Sequence, residues 1–225
     1  MEYTKETILD ILSSMGDEKR KKYNKKQGVN DNQFGVTMGK LRPLAKKIKK
    51  DYSLAFELWN TGNFDAMILS TMIFDPKLFS ESDFETLIEG AYMHILVDEL
   101  TFQALSKSFL AKEFIDKWAN KDDERYGRAG WNLAINLVIN KELKDEEIEA
   151  LLSEIEAKMT QALPLKQWAM NRCMCEIGIH YDKYTDRCLL LGERLGVYKD
   201  LKVAKGCTSA YAPNWINVVR EKLKK

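Results

Sequence analysis

Apolar residues recur along most of this chain at intervals of three and four residues, which is the spacing of an amphipathic helix. The two-residue alternation of a half-exposed strand is nearly absent, and only 4 prolines interrupt the 225 residues. The pattern therefore predicts about thirteen helices joined by short connections. Their predicted bounds are 6–14, 18–26, 40–50, 53–60, 64–72, 82–93, 95–108, 113–121, 125–140, 145–159, 165–180, 186–195 and 214–224.

Polar residues and prolines at the starts of several segments support these bounds. Asn63 is predicted to cap a helix, because a side-chain oxygen at that position can accept from the first free N–H groups. Ser80 with Asp83 three residues later is close to a capping box. Pro164 and Pro213 suit the first turn of a helix, where no N–H partner is lost.

Short connections between helices predict antiparallel neighbours, and pairs repeating every ~35–45 residues are typical of HEAT and armadillo repeats. Segments 40–76 and 112–139 have a related form, in which a helix ending near a Trp precedes a polar turn and an Ala-rich helix. The sequence therefore predicts an all-α fold, an α-solenoid of antiparallel helix pairs with a concave groove. No segment looks like a linker, so one domain over residues 1–225 is predicted. The five tryptophans are predicted to pack between repeats: Trp59, Trp118, Trp131, Trp168 and Trp215.

Composition adds limits on location and cofactors. No run of 18 or more apolar residues is present, and the first residues read as a charged amphipathic helix, so we expect a soluble, cytoplasmic protein without a membrane segment. Without a signal peptide, free thiols are favoured over disulfides. On a helix Cys173 and Cys175 point about 200° apart and cannot share a metal ion, so core thiols are predicted. We expect no metal, no cofactor and a monomer.

The net charge of +1 hides an uneven distribution of charge. Residues 17–51 hold twelve Lys and Arg against four Asp and Glu, and residues 199–225 hold seven against two. Basic segments on a near-neutral chain suit a polyanionic partner, but they are also common as solvated helix faces. Charge alone leaves both interpretations open.

Asp98 stands on an apolar stripe. Residues 91–105 read as the interior of one helix, in which Asp98 is in phase with Ile95 and Phe102 and lies four residues after His94. A carboxylate on such a face costs free energy unless it is paired or hydrogen-bonded. Asp98 is therefore expected to be paired with a protein group, to have a functional role, or to be exposed to solvent.

Four stretches give the chain a resemblance to a known family. Residues 28–51 (GVNDNQFGVTMGKLRPLAKKIKKD), 54–76, 124–139 and 168–179 are similar to the DNA alkylation repair family of HEAT-like DNA glycosylases. The resemblance implies a right-handed stack of helical repeats whose basic concave face cradles duplex DNA. It also implies excision of cationic N3- or N7-alkylated purines, in base excision repair, without a metal.

The resemblance assigns the excision site only in part. Asp98 matches the family carboxylate, but the family Trp four residues before it falls on His94, and a second family Trp falls on Arg172. Aromatic faces attract a cationic base by ~0.5–2 kcal/mol each, whereas a guanidinium repels it. A carboxylate can stabilise the sugar cation that forms as the base leaves. His94 still offers a small ring, and Arg172 could pair with Asp98 and make it structural.

Further residues are candidates for DNA contact. Arg128 is the better match to the family arginine that holds a phosphate near the lesion, and Arg125 is the alternative. Tyr23 corresponds to an aromatic on the family's N-terminal helix. Arg172 is a further candidate for DNA contact, because its side chain is a cation. Lys46 and Lys47 are the candidates in the basic segment.

Three functions remain open from the sequence. The first is a DNA-binding family member with weak, altered or absent glycosylase activity. The second is an active alkylpurine glycosylase in which Asp98 works without the Trp pair. The third is a protein-binding helical scaffold, which a near-neutral net charge also fits.

Overall fold

A computed structural model describes residues 3–224 of the chain. That part contains thirteen α-helices and four short 3₁₀ turns and no strand, so the all-α prediction is confirmed. The helices are α1 (Lys5–Ser14), α2 (Glu18–Lys26), α3 (Met38–Ile48), α4 (Tyr52–Trp59), α5 (Phe64–Ile73), α6 (Glu81–Gly90), α7 (His94–Gln103), α8 (Ala111–Ala119), α9 (Glu124–Ile139), α10 (Asp145–Lys158), α11 (Pro164–His180), α12 (Thr185–Leu195) and α13 (Ala212–Leu223).

The predicted helix starts are confirmed by their hydrogen bonds. Asn63 accepts from the N–H of Ala66 at 3.1 Å at the start of α5. Ser80 and Asp83 form a reciprocal capping box at the start of α6. Pro164 and Pro213 lie in the first turns of α11 and α13.

Residues 91–105 do not form one helix interior; the structure has a break there, as the predicted bounds 82–93 and 95–108 require. α6 ends at Gly90, Met93 is extended, and α7 starts at His94. A Cβ at Gly90 would lie 2.7 Å from the Trp59 Nε1, so α6 ends in close contact with the Trp59 indole. Asp98 therefore lies in the second turn of a short helix, and Leu105 falls in the 3₁₀ turn that follows it.

The chain divides into two compact units, Met1–Ala111 (unit 1) and Lys112–Lys225 (unit 2). In unit 1, α5 packs against α1, α3, α4 and α7, and nine of its ten residues are buried. A helix surrounded in this way is apolar on all sides rather than on one stripe. In unit 2, α11 takes the central place and contacts α9, α10, α12 and α13. The prediction of one domain over residues 1–225 stays a prediction.

The tryptophans and cysteines belong mainly to these cores. Trp59, Trp118 and Trp131 are buried, as predicted for repeat packing. Trp168 and Trp215 are half-buried and contact each other with ring centroids 6.4 Å apart. The core thiols Cys173, Cys175 and Cys188 are buried and free, and burial raises the pKa of each; the free Cys207 is exposed.

The described residues hold neither a metal-binding cluster nor a membrane-spanning helix. No group of three or more His, Cys, Asp and Glu side chains there is placed to hold a metal ion. Within residues 3–224, no helix combines the length and apolarity that a membrane span requires.

Gly130 allows α8 and α9 to approach closely in unit 2. A Cβ on Gly130 would lie 2.4 Å from the backbone N of Ala119 and 2.9 Å from its Cα, and backbone atoms cannot rotate aside. Gly130→Ala is therefore expected to lower the free energy of unfolding by ~1–3 kcal/mol, although alanine is the better helix former. Urea unfolding measures the change.

Gly39→Ala in α3 is the matched control for this prediction. A Cβ on Gly39 would find its nearest atom, the Thr37 Oγ1, 3.9 Å away. This substitution should leave the protein as stable or add up to ~1 kcal/mol from helix propensity. Equal effects at the two glycines would show that the approach of α8 to α9 is not tight.

Candidate nucleic-acid interface

The loop between α2 and α3 is held in shape by one buried carboxylate. Asp65, fully buried near the start of α5, accepts from the backbone N–H groups of Phe34 at 2.6 Å, Gly35 at 3.0 Å and Val36 at 2.8 Å. Gly35 has a φ of +78°, which favours glycine. Residues 28–36 thus form a shaped turn, and its anchor is a residue that the sequence did not single out.

This loop and the neighbouring helices enclose a cavity of about 170 Å³ in unit 1, which we name the unit 1 cleft. Tyr23 of α2 lies at the cleft with 52% of its surface exposed, and the Arg20 guanidinium lies 4.9 Å from the centre of its ring. Glu99 and Ile95 of α7 also line it. Three of the other lining residues are polar: Asn24, Gln27 and Asp65. The remaining six are apolar: Val29, Val36, Met38, Leu41, Phe64 and Ile68.

Glu99 is the functional candidate that the sequence did not reveal. Its pKa is raised, because burial penalises the ionised carboxylate more than Gln103 and Arg42 favour it. The Gln103 amide lies 3.4 Å from its Oε2, and no described residue donates to its Oε1. In the sequence it looked like an ordinary acid beside Asp98, and only the fold shows that it lines a cleft.

The raised pKa predicts a pH-dependent effect of Glu99→Gln on stability. The folded state binds this proton more tightly than the unfolded chain does, so the ionised form costs stability above the folded pKa. That cost disappears as the pH falls below the ordinary value near 4.5. Glu99→Gln should therefore raise the urea midpoint at neutral pH and change it little below about pH 4. A glutamine variant that is less stable at neutral pH would contradict the burial cost.

His94 and Asp98 lie one turn apart on α7, as their spacing predicted, and both are half-buried. His94 is the first residue of the helix, after an N-cap residue without a side-chain hydrogen bond. The charge of Asp98 contributes to the raised pKa of Glu99. A catalytic role for Asp98 or His94 stays a prediction.

Basic side chains of α3 and of the two residues that follow it line a second cavity of unit 1, of about 430 Å³. We name Arg42, Lys46, Lys49 and Lys50 the α3 basic cluster. Lys50 donates to the carbonyl of Met72 at 2.9 Å, which satisfies the C-terminal end of α5. The other three are exposed, and no carboxylate of the described residues lies within salt-bridge distance of them. Three cations of the cluster are therefore available to anions.

Lys47 and the lysines of α2 are further basic residues of unit 1. Lys47 is exposed on α3 but does not line the cavity. Lys19, Lys22 and Lys26 are exposed on α2 and form no salt bridge with a described residue, whereas Lys21 pairs with Glu18 at 2.8 Å. These positions are close to Tyr23 on the same helix, so unit 1 combines an exposed aromatic ring with cations.

The predicted arginines of unit 2 are held by protein groups. Arg128 of α9 is 5% exposed and donates to the carbonyl of Leu165 at 3.1 Å. Arg125 binds the carboxylate of Asp123, its Nη2 lying 2.7 Å from Oδ2. Phosphate contact by Arg128 or Arg125 stays a prediction.

Arg172 contacts a carboxylate of its own helix. Its Nε lies 3.5 Å from the Oε1 of Glu176, whose Oε2 lies 3.3 Å from the Nε2 of His180. These residues follow one another at intervals of four on α11, so they share a face. The position at which the resembling family has its second Trp is thus occupied by a guanidinium.

Comparisons with known proteins agree with the fold. A model of the DNA alkylation repair enzyme family matches residues 8–189. The chain belongs to this family. A solved structure described as "a new family of proteins related to the HEAT-like repeat DNA glycosylases with affinity for branched DNA structures" is 30% identical, with a TM-score of 0.85, over 99% of this chain and 94% of that one. A comparison with curated proteins found no match.

These findings confirm the predicted DNA alkylation repair family and the HEAT-like repeat fold. They give no test of the concave groove or of the individual site residues, which stay predictions. The proteins of the similar structure are related to the HEAT-like repeat DNA glycosylases and are described as having affinity for branched DNA structures.

Proposed function

We propose that this protein binds branched DNA and contacts its phosphates through the α3 basic cluster and the exposed lysines of α2. The observation that carries the proposal is that Arg42, Lys46 and Lys49 lie exposed around one cavity without a salt-bridge partner among the described residues. Guanidinium and ammonium groups in this state bind phosphate oxygens. The branched-DNA affinity described for the similar structure supports a junction as the preferred form.

Salt dependence of binding tests this proposal. A fluorescently labelled four-way junction is titrated with the protein at several KCl concentrations, and the anisotropy gives the dissociation constant. Each neutralised phosphate releases counterions and adds about 0.9 to the slope of log K against log salt. A slope of about 2.7 or more in magnitude is expected from three or more contacts. No binding, or a slope near zero, would overturn the proposal and leave the protein-binding scaffold as the alternative.

We also propose that alkylpurine excision is weak or absent. The two positions that carry a Trp in the resembling glycosylases hold His94 and Arg172, and the latter is a cation beside Glu176. A cationic base gains no aromatic attraction from a guanidinium. Duplex DNA containing N7-methylguanine should therefore release little or no free base.

An active glycosylase is the second candidate, because Asp98 keeps the carboxylate and lies half-buried on α7. The same assay separates the two. Release of N7-methylguanine or N3-methyladenine that Asp98→Asn abolishes would establish the second candidate. A monomeric state and a cytoplasmic location stay predictions from the sequence.

A further inference from the structure

The unit 1 cleft has the size of a site for one small planar group. Its volume of about 170 Å³ is several times the ~30 Å³ that one water molecule occupies in the liquid. It is also below the ~300–1,000 Å³ of pockets for drug-sized ligands. Apolar side chains such as Met38, Leu41 and Ile68 supply most of its walls, which favours a flat, weakly polar occupant over an ion.

Two polar groups of the cleft have unused hydrogen-bonding capacity. The Nε of Arg20 is buried and donates to no acceptor among the described residues. The Oε1 of Glu99 accepts from no group there, and its Oε2 has only the long contact with Gln103. The Oε1 of Glu99 can therefore accept a hydrogen bond from an occupant of the cleft, whereas the buried Nε of Arg20 is out of its reach.

The aromatic ring and the cations near the cleft indicate that its occupant is part of a nucleotide. Tyr23 stands at the cleft, half-exposed, and a base could stack on its ring. The charge of Arg42, a member of the α3 basic cluster, acts on Glu99, which lines the cleft. A nucleotide whose phosphate contacts this cluster would therefore have its base within reach of the cleft.

We infer that the unit 1 cleft takes up one unpaired nucleobase from the branch point of a DNA junction, with Tyr23 as the stacking surface and Glu99 as the hydrogen-bond acceptor. The inference rests on the proposed function and names the part of branched DNA that is recognised. Guanine fits best, because its Watson–Crick edge presents two adjacent N–H donors to the carboxylate. Thymine presents a single donor on that edge and fits less well.

The test uses two three-way junctions that differ at one unpaired position at the branch. One carries guanosine there, and the other carries an abasic residue with the same backbone. Wild-type protein should bind the guanosine junction about ten-fold tighter, which is the effect of one stacked and hydrogen-bonded base. Thymidine at the same position should give a smaller gain.

Two variants then locate the effect. Ile95→Trp fills the cleft, and Glu99→Gln removes the charged acceptor with little change of shape. Ile95→Trp should reduce the preference for guanosine to about one, and Glu99→Gln should reduce it to the smaller gain of thymidine, because stacking on Tyr23 remains. Both should leave binding to the abasic junction within ~2-fold. Glu57→Gln removes the same charge from an exposed position of α4 outside the cleft and should keep the preference. Thermal melting verifies that each variant is folded.

The outcomes separate the two proposals. Equal affinity of wild type for the guanosine and abasic junctions would overturn base uptake while branched-DNA binding stands. A ten-fold preference that survives unchanged in both Ile95→Trp and Glu99→Gln would also overturn it, since the base would then be held elsewhere. Absence of binding to every junction, including a fully paired one, would overturn the proposed function itself.

Discussion

Asp65→Ala is expected to lower the free energy of unfolding by about 3–5 kcal/mol. Its carboxylate is fully buried and accepts from three consecutive backbone N–H groups, at Phe34, Gly35 and Val36. Alanine leaves these three N–H groups without a protein acceptor. Each buried N–H group without a partner costs ~1–3 kcal/mol, and water that enters the site offsets part of this cost. The loop between α2 and α3 would lose its attachment to α5.

Urea unfolding followed by circular dichroism measures this effect, with Asp10→Ala as the control. Asp10 is an exposed carboxylate in the interior of α1, so its loss should change the unfolding free energy by less than ~0.5 kcal/mol. Because residues of this loop line the unit 1 cleft, Asp65→Ala should also weaken the preference for an unpaired guanosine. An Asp65 variant as stable as the Asp10 variant would show that the three hydrogen bonds do not hold the loop.

Removing three cations of the α3 basic cluster has the largest expected effect on DNA binding. The triple variant Arg42→Ala, Lys46→Ala, Lys49→Ala should bind a four-way junction roughly 100-fold more weakly at low salt. The slope of log K against log salt should fall in magnitude by about 2.7, which is about 0.9 for each lost phosphate contact. Stability should change little, because no described carboxylate pairs with these side chains.

The control removes the same charge from a surface that is already neutralised. Lys183, Arg187 and Arg194 bind Asp145, Glu149 and Glu156 respectively, between the α12 region and α10. Their triple alanine variant should keep junction affinity within ~2-fold, because paired cations contribute little to phosphate binding. Equal losses in the two triple variants would mean that net charge, and not the α3 basic cluster, governs binding.

The helices could be predicted because their signals are local. Apolar spacing located all thirteen, and caps such as Asn63 and Ser80 fixed several starts, since capping depends on residues three positions apart. The end of α6, predicted at residue 93 and found at Gly90, has a non-local cause. Gly90 ends α6 against Trp59, which lies some thirty residues earlier, and no periodicity in the segment records that contact.

The candidate site could be predicted only in part for the same reason. Asp98, Lys46 and Lys47 were found from the resemblance and from local charge. Asp65 looked like a first-turn acid of a helix, and its loop partners lie about thirty residues before it. Glu99 looked like an exposed neighbour of Asp98 until the fold placed it beside α2 and α3 residues in one cleft.

Recognition of branched DNA by this chain can be measured in a competition experiment. A labelled four-way junction is bound by the protein at physiological salt, and unlabelled junction or linear duplex of the same total length and composition is added. The junction should displace the label at a concentration at least ~10-fold lower than the duplex. Equal displacement by the two competitors would contradict it, because phosphate contacts alone do not distinguish a branch from a linear duplex.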